Sequence, residues 1–362
     1  MSHWSETAEL FARLAALPKG ERAALATVVR IAGSAYRRPG AKLLVEASGG
    51  ALGGVSGGCL EADVREIART VLATGSPAFR RYDLRGHEPI LWGLDLGCRG
   101  IVEIFVQPAT EGPLASLAGP LREWLAADEP FALLTTIAGP DLAAVRLVSA
   151  ERERGALGSP DIDRDATSAA RARLADGRSQ VLRIGERELF CDVLPPPPRL
   201  LVFGAGDDAQ PLVDRAAEVG FRVTVVDHRP ALLTAERFPR AVARLEARPD
   251  DPEGAATALA IAGDAMAVVK LHALGHDREW TRRLLATSIA YVGLLGPRQR
   301  AESILSEVGA AGDPRVFGPV GLDVGADGPR EIAISIVAEL LAVRTGRAAG
   351  HLRERGGAIY DL

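Results

Sequence analysis

The stretch RLLVFGAGDDAQPLVDRAAEVGFRVTVVDHRP, residues 199–230, constrains the fold more than any other part of the 362-residue chain. It contains an apolar strand, a glycine turn, an amphipathic helix that stops at Gly220, and a second apolar strand that ends at Asp227. Two strands joined by a helix lie parallel in one sheet, because a parallel connection needs a long crossover. The stretch therefore predicts an α/β fold.

The same alternation of strand and helix continues to the end of the chain. Further strands are predicted at 242–246, 265–269 and 290–294, with helices at about 252–260, 278–288 and 298–308. The segment PREIAISIVAELLAVRTGR predicts a last helix that begins at Pro329. Strands that alternate with helices indicate a doubly wound parallel sheet.

The first half of the chain shows a mixed α/β pattern. It predicts a helix over 5–17, strands at about 24–32 and 42–47, a helix over 59–73, and strands at 78–83 and 100–106. Residues 114–194 read as a helix, two strands, a helix and two strands, and no internal repeat is evident. The four prolines at 195–198 cannot extend a helix or join a sheet. We predict domains at 1–194 and 199–362, with 109–194 either part of the first domain or a separate subdomain.

Charge and cysteine content exclude several classes of protein. The 43 basic and 47 acidic side chains give a net charge of −4, which predicts neither a nucleic acid nor a membrane partner. No stretch of 18 uncharged apolar residues exists, and MSHWSETAEL lacks the apolar core of a signal peptide. Three cysteines without CxxC spacing indicate reduced thiols, so a cytoplasmic location is expected.

The glycine turn of the 199–230 stretch is a candidate nucleotide site. Gly204, Gly206 and Ala209 follow a strand and open a helix, the context in which such a motif binds a pyrophosphate. Asp227 ends the next strand, where its carboxylate could accept a hydrogen bond from a ribose hydroxyl. The alternative interpretation is that the glycines serve only the tight turn.

The segment GGVSGGCLEADV, residues 53–64, places Cys59 at the start of a predicted helix. Backbone N–H groups and the helix dipole favour a thiolate there, although a free cysteine is often simply buried. Cys98, in LDLGCRG, is a second candidate thiol in a glycine-rich turn, whereas Cys191 lies in an apolar strand and is expected to be buried. Two isolated thiols lack zinc-ligand spacing.

Two arginines form a third candidate site. Arg37 and Arg38 lie in GSAYRRPGAKLLV, on a loop shaped by glycine and proline. Arginine binds anions through paired hydrogen bonds, so the loop could hold an anionic ligand. A solvated loop without a ligand is the alternative. His272 and His276 are four residues apart but flank Gly275 in a predicted loop, so we do not assign them to a metal site.

Together these segments resemble the XdhC/CoxI family. The similarity rests, in order along the chain, on GSAYRRPGA, GGVSGGCLEADV, WGLDLGCRGIVEIFV, FGAGDDAQPL, VTVVDHRP, YVGLLGPRQR and PVGLDVGADGPREIAISIVAEL. It implies an XdhC/CoxI-type N-terminal region followed by a Rossmann-like domain. Two segments depart from the family pattern: VVKLHALGHDREW, which leaves His276 and Asp277 as uncertain equivalents, and 109–194, which carries no matching motif.

The resemblance implies a cytoplasmic maturation factor rather than an enzyme. Its cargo would be the molybdenum cofactor, protected during sulfuration by a cysteine desulfurase and delivered to a molybdenum hydroxylase such as xanthine dehydrogenase. Molybdenum carries soft sulfur ligands, so Cys59 would contact the metal, with Cys98 as a second thiol. The pterin phosphate would bind the Gly204–Gly206 loop or Arg37 and Arg38. An NAD(P)-dependent oxidoreductase and a non-enzymatic scaffold with a vestigial Rossmann domain are the alternatives, and a homodimer is left open.

Overall fold

The structure, a computed structural model, describes residues 3–33, 35–84, 100–262 and 265–356. The described residues form two units, 3–196 and Pro197–Glu354, and each has apolar clusters of its own. The first unit contains α1 (His3–Ala15), β1 (Ala23–Gly33), β2 (Lys42–Glu46), β3 (Ala51–Gly53), α2 (Glu61–Thr74), β4 (Ala78–Asp83), β5 (Gly100–Pro108), α3 (Gly112–Ala127), β6 (Phe131–Ala138), β7 (Val145–Ser149), β8 (Glu153–Gly155), α4 (Pro160–Leu174), β9 (Gln180–Ile184) and β10 (Arg187–Leu194).

The first unit is built from one arrangement of elements used twice. Its two antiparallel sheets have the orders β3-β2-β1-β5-β4 and β8-β7-β6-β10-β9. Among the residues that the structure describes, each half runs helix, three strands, helix, two strands. The expectation that the sequence holds no repeat is therefore wrong at the level of structure. We call residues 3–108 the first half and residues 112–194 the second half.

The two halves match residue by residue around their second helices. Gly53 and Gly155 both have left-handed backbones, with φ of 89° and 88°, and a Cβ at either would overlap the carbonyl oxygen of the first residue of the neighbouring strand. Twenty-two residues after each of these glycines lies another left-handed glycine, Gly75 or Gly177. Residue n of the first half therefore corresponds to residue n + 102 of the second half over this region.

Equivalent residues of the two sheets also meet at the centre of the unit. In each half a threonine of the first strand lies opposite a phenylalanine of the last, as Thr27 opposite Phe105 and Thr135 opposite Phe190. All four residues line one small internal cavity, together with Leu25, Val29, Lys42, Gln107, Leu133 and Asp192. The interior of the unit is thus made from matching positions of the two halves.

Two strands of the first unit were not predicted from the sequence. β3 and β8 are three residues long and lie at the sheet edges, and all three residues of β8 are exposed. Such short edge strands lack the alternation of apolar and polar residues that identifies a half-buried strand. Residues 153–155 therefore appear polar in sequence although they pair with β7.

The second unit contains β11 (Arg199–Phe203), α5 (Ala209–Glu218), β12 (Arg222–Asp227), β13 (Ala243–Glu246), α6 (Pro252–Ala262), β14 (Ala265–Val269), α7 (Leu274–Leu285), β15 (Tyr291–Leu294), α8 (Arg298–Val308), β16 (Val316–Phe317) and α9 (Pro329–Thr345). Its parallel sheet has the order β13-β12-β11-β14-β15-β16, with helices on both faces. Successive residues of β11 alternate between the two apolar clusters, because side chains along a strand point to opposite faces. The predicted doubly wound, Rossmann-like sheet is confirmed.

One helix of this unit starts earlier than predicted. α7 begins at Leu274, so Gly275 and His276 are helical rather than part of a loop. The carboxylate of Asp277, in the first turn, accepts a hydrogen bond from the Leu271 N–H at 3.0 Å and anchors this end of the helix. The strand order reverses between β11 and β14, and the turns after these two strands hold the glycine loop and Lys270. Ligands bind doubly wound sheets at such a point.

Candidate functional site

The Cys59 turn and the arginine loop come together in the first unit. Cys59 is half-buried and lies two residues before the first residue of α2. Its side chain lines a small hollow, which we call the Cys59 hollow. The other lining residues are Ala35, Tyr36, Arg37, Val55, Ser56, Leu60, Leu84 and Val102. Cys59 and Arg37, which are 22 residues apart in the sequence, thus line one hollow.

Tyr36 covers the turn beside the thiol. A Cβ added to Gly57 would lie 3.2 Å from the Tyr36 ring, so the ring packs directly on the glycine backbone. The side chain is nevertheless 68% exposed, which is unusual for a large aromatic residue. An exposed aromatic ring at the rim of a hollow can stack on a flat ring of a ligand.

Ser56 and Glu61 hold the turn together. The Ser56 hydroxyl donates to Glu61 Oε2 and accepts from the Gly58 and Leu60 N–H groups at 3.1 and 3.0 Å. Glu61 Oε1 also accepts from the Ser56 N–H at 2.9 Å. Burial would raise the pKa of Glu61, but the Ser56 hydroxyl and backbone donors outweigh burial and lower that pKa. Neither residue was predicted from the sequence, although serine and glutamate that flank a glycine turn are typical of a capped turn.

The predicted anion-binding arginines have different surroundings. Both terminal nitrogens of Arg37 donate to the Glu6 carboxylate, at 3.2 and 2.5 Å, so a ligand anion would compete with Glu6. Arg38 is exposed on the same loop. Anion binding by the two arginines stays a prediction, and Arg37 is the one that reaches the Cys59 hollow.

The other two cysteines contribute differently. Cys98 lies outside the described residues, so its role as a second thiol stays a prediction. Cys191 has no exposed surface, in line with its apolar strand. Burial raises the pKa of the Cys191 thiol to about 12, and the charge of Asp192 acts in the same direction. A thiol of this kind stays protonated near neutral pH and is a poor nucleophile or metal ligand.

In the second unit, Gly204 adopts the conformation that the sequence motif requires. Its φ is 121°, and a Cβ would lie 2.6 Å from the Lys270 carbonyl oxygen. Its N–H donates to the Val226 carbonyl at 2.8 Å, so the turn crosses between β12 and the end of β14. Only glycine fits this position without strain. Gly204 therefore serves the tight turn, whatever else the loop binds.

Asp227 lies at the end of β12 but has no exposed surface. Its carboxylate accepts from the Ala205 N–H at 2.6 Å, from the Arg229 N–H at 2.9 Å, and from two guanidinium nitrogens of Arg229. Burial opposes ionisation, but these donors outweigh it and lower the pKa of Asp227 to about 2. Each oxygen already accepts two bonds, so a ribose hydroxyl would have to displace Arg229. The ribose contact stays a prediction.

An ion pair that the sequence analysis missed lies beside the glycine loop. The Lys270 side chain is 2% exposed, and its ammonium group contacts Asp208 Oδ1 at 2.7 Å, while His272 Nε2 lies 3.2 Å from Asp208 Oδ2. A Cβ at Gly206 would lie 2.8 Å from Asp208 Oδ1, so this carboxylate covers the glycine. The sequence signal was a lysine placed directly after five apolar strand residues.

A second carboxylate of the loop is also paired. Asp207 accepts from Arg237 at 2.9 Å, and the same guanidinium donates to the Ala205 carbonyl at 3.0 Å. The start of α5 thus carries two carboxylates, one of which covers the second glycine. Both carboxylates are paired with cations, and Asp208 covers Gly206, so a pyrophosphate at the glycine loop would have to displace this carboxylate.

The His276–Asp277 segment has a structural explanation. Asp277 Oδ2 accepts from Arg300 at 2.6 Å in addition to its bond with the Leu271 N–H. The His276 ring packs edge-on against His228, with ring centroids 5.0 Å apart. Across the described residues, no group of three or more His, Cys, Asp or Glu side chains is arranged to hold a metal ion. In the same residues, no helix combines the length and the apolar character needed to cross a membrane.

Comparison with known proteins connects both units to one family. A family model described as "XdhC and CoxI family" matches residues 16–83, which include the Cys59 turn, and one described as "XdhC Rossmann domain" matches residues 200–340. The chain is 32% identical over 337 residues to a Bacillus subtilis protein described as a probable subunit of xanthine dehydrogenase, covering 91% of this chain and 96% of that protein. It is also 33% identical over 172 residues to the uncharacterized protein YqeB of Escherichia coli, covering 46% of this chain and 31% of that protein.

A solved structure agrees with these matches. The crystal structure described as a xanthine dehydrogenase from Bacillus halodurans has a TM-score of 0.77 to this chain, at 28% identity, and covers 97% of this chain and 98% of its own. The similarity includes residues 109–194, for which the sequence analysis found no motif. With the Cys59 turn, the glycine loop and near full-length similarity to such relatives, the chain belongs to the XdhC and CoxI family.

Proposed function

We propose that this chain is a maturation factor for a xanthine dehydrogenase-type enzyme. In this role it binds the molybdenum cofactor in the first unit, holds it during sulfuration and delivers it to a molybdenum hydroxylase. The observation that carries the proposal is the Cys59 hollow, in which a half-buried thiol and Arg37 meet beside an exposed aromatic ring. The names of two relatives, both referring to xanthine dehydrogenase, support the choice of client.

The chemistry of the hollow suits such a cargo. A thiolate is a soft ligand for molybdenum or its terminal sulfur, and one ligand from a turn permits release. Arg37 could exchange Glu6 for the cofactor phosphate, because a guanidinium binds both anions through paired hydrogen bonds. Tyr36 could stack on the pterin ring. Cys98 and Arg38 are further candidate ligands of the cofactor.

The remaining parts of the proposal concern partners and location. Sulfuration needs a sulfur donor, so a cysteine desulfurase is the second expected partner, and the expected location is the cytoplasm. A homodimer stays open. We assign the chain no turnover of its own.

The decisive experiment measures cofactor loading. The chain is produced together with cofactor synthesis, purified, and analysed for molybdenum and oxidised pterin per chain. We expect Cys59→Ala to lower loading at least about tenfold, as loss of a metal contact commonly does. Cys191→Ala is the control, since it removes a thiol that has no exposed surface. Equal loading of the folded Cys59→Ala variant and the unmodified chain would show that Cys59 is only structural.

An NAD(P)-dependent oxidoreductase is the less supported function. The glycine loop is the feature that favours it, but Asp208 covers Gly206 and Asp227 is saturated by internal donors. We therefore expect no NADH production from small alcohols or hydroxy acids. Steady turnover above about 1 per second, the low end for ordinary enzymes, would overturn this expectation.

A further inference from the structure

The duplicated architecture of the first unit allows a direct comparison of the Cys59 turn with its counterpart. The shift of 102 residues places Val55 opposite Leu157, Ser56 opposite Gly158, and Glu61 opposite Asp163. Both carboxylates do the same thing: Glu61 accepts from the Val55 N–H at 3.3 Å, and Asp163 from the Leu157 N–H at 2.7 Å. Each half therefore has a carboxylate that accepts a hydrogen bond from the backbone N–H six residues before it, which we call the carboxylate clamp.

The two segments then differ in where the helix begins. In the second half, Ser159 caps α4 by accepting from the Ile162 N–H at 3.4 Å, and the helix starts at Pro160. The equivalent of Pro160 in the first half is Gly58, yet α2 starts only at Glu61. The first half thus delays its helix by three residues, and Cys59 lies within the turn that results.

The Ser56 hydroxyl bonds the residues of this delayed segment, in which Gly58 also has a left-handed backbone, with φ of 111°. It accepts from the N–H groups of Gly58 and Leu60, the two residues that flank Cys59, and donates to Glu61. Gly158, at the equivalent position, has no side chain to do so. Instead the Asp141–Arg187 ion pair lies where a side chain at Gly158 would lie, so the space is closed.

We propose that Ser56, oriented by Glu61, is the positioning residue of the Cys59 thiol. Its hydroxyl keeps residues 57–60 out of the helix and holds Cys59 at the wall of the hollow. The importance of this position for cofactor loading rests on the proposed function, but the positioning itself does not. The second half keeps the carboxylate clamp without a serine at the position of Ser56 or a thiol at the position of Cys59, so the clamp alone does not make this turn.

The test compares Ser56→Ala with two other variants of the full chain. Ser56→Thr keeps a hydroxyl and is the rescue. Ser159→Ala is the matched control, because it removes a serine hydroxyl at the helix start of the other half. The first readout is the rate at which iodoacetamide modifies Cys59, located by peptide mass spectrometry, and the second is molybdenum per chain after production with cofactor synthesis.

We expect iodoacetamide to modify Cys59 about fivefold faster in Ser56→Ala than in the unmodified chain. Loss of one ordinary hydrogen bond raises the population of the open turn by about this factor. Ser56→Thr and Ser159→Ala should react like the unmodified chain. If Ser56→Ala fails to fold, Glu61→Gln takes its place, because it weakens the partner that orients the hydroxyl. An unchanged Cys59 rate in a folded Ser56→Ala or Glu61→Gln variant would overturn the proposal, as would an equal change in Ser159→Ala.

The loading readout separates this inference from the proposed function. Faster modification together with lower loading supports both. If Cys59 is modified faster in Ser56→Ala but even the unmodified chain carries no molybdenum, the positioning role is supported and the proposed function is wrong.

Discussion

At the residue scale, backbone conformation and ion pairing decide what the glycine loop tolerates. Gly204 has a positive φ, and a Cβ added there would contact the Lys270 carbonyl oxygen. Gly346 also has a positive φ, at 64°, but a Cβ added there would meet open space. The two positions separate the cost of backbone strain from the cost of a clash.

We expect Gly204→Ala to lower the free energy of unfolding by about 2–4 kcal/mol, because the added Cβ meets backbone that cannot move aside. Gly346→Ala, the control, should cost only about 1 kcal/mol, since a left-handed alanine is strained but unobstructed. Urea unfolding of both variants checks the difference. Equal losses would mean that the loop relaxes around the new methyl group.

The Lys270–Asp208 pair has one deeply buried partner and one more exposed partner. Burial lowers the pKa of Lys270, and the bonded Asp208 carboxylate opposes this effect. The Lys270 side chain is 2% exposed and that of Asp208 is 27% exposed. Removing either partner therefore leaves groups with unequal access to water.

We expect Asp208→Ala to destabilise the chain more than Lys270→Met, by roughly 3 kcal/mol against 1 kcal/mol. The first change leaves a buried ammonium group without its carboxylate, whereas the second leaves a carboxylate that water can reach. Thermal unfolding at neutral pH and low salt measures both. The reverse order would show that packing of the lysine stem outweighs the ion pair.

At the scale of elements, the turn between β11 and α5 is tied to the end of β12 by Asp227. The carboxylate joins the Ala205 N–H to Arg229, and its pKa of about 2 lies below the ordinary value of an aspartate. A carboxyl group whose pKa is lower in the folded state stabilises the fold above its unfolded pKa, and that stabilisation is lost as the pH falls.

The stabilisation from Asp227 should therefore be complete above about pH 4 and lost between about pH 4 and 2, an effect of about 2 kcal/mol. Asp227→Asn should be less stable at pH 6 but show a smaller further loss over this acid range. Denaturant unfolding at pH 6, 4, 3 and 2 checks the prediction, with Asp161→Asn, at an exposed pair, as the control. Parallel pH profiles of Asp227→Asn and the unmodified chain would contradict it.

At the scale of the whole molecule, the chain is two units with separate interiors. The apolar clusters of the second unit cover both faces of its sheet, and those of the first unit are supplied by the two matching halves. The boundary falls in the proline segment, at Pro196 and Pro197. A unit that buries its own apolar side chains does not need its neighbour in order to fold.

Residues 1–196 and 197–362 should accordingly fold when produced separately. We expect each to show cooperative thermal unfolding and dispersed amide signals in NMR spectra. The reason is that each unit closes its own sheets and covers them with its own helices. An unfolded first piece alongside a folded second piece would mean that the first unit depends on contacts that its own residues do not supply.

Most of the fold of 199–345 could be predicted from the sequence because its signals are local, whereas the two-residue edge strand β16 was not predicted. Apolar runs, helical spacing, Gly204 and the proline break each act over a few residues, so they identify strands, helices, a tight turn and a boundary without knowledge of distant contacts. Family membership was likewise accessible, since GGVSGGCLEADV and FGAGDDAQPL are continuous segments.

The tertiary structure alone decided what depends on residues far apart in the chain. The pairing of Lys270 with Asp208 spans 62 residues, and the meeting of Arg37 with Cys59 needs a folded loop. The duplication was invisible in sequence because a fold constrains burial and backbone conformation, which different side chains can satisfy equally: Val64 and Ala68 correspond to Ala166 and Ala170, all buried. Local patterns thus determined the elements, and long-range contacts determined which side chains share a site.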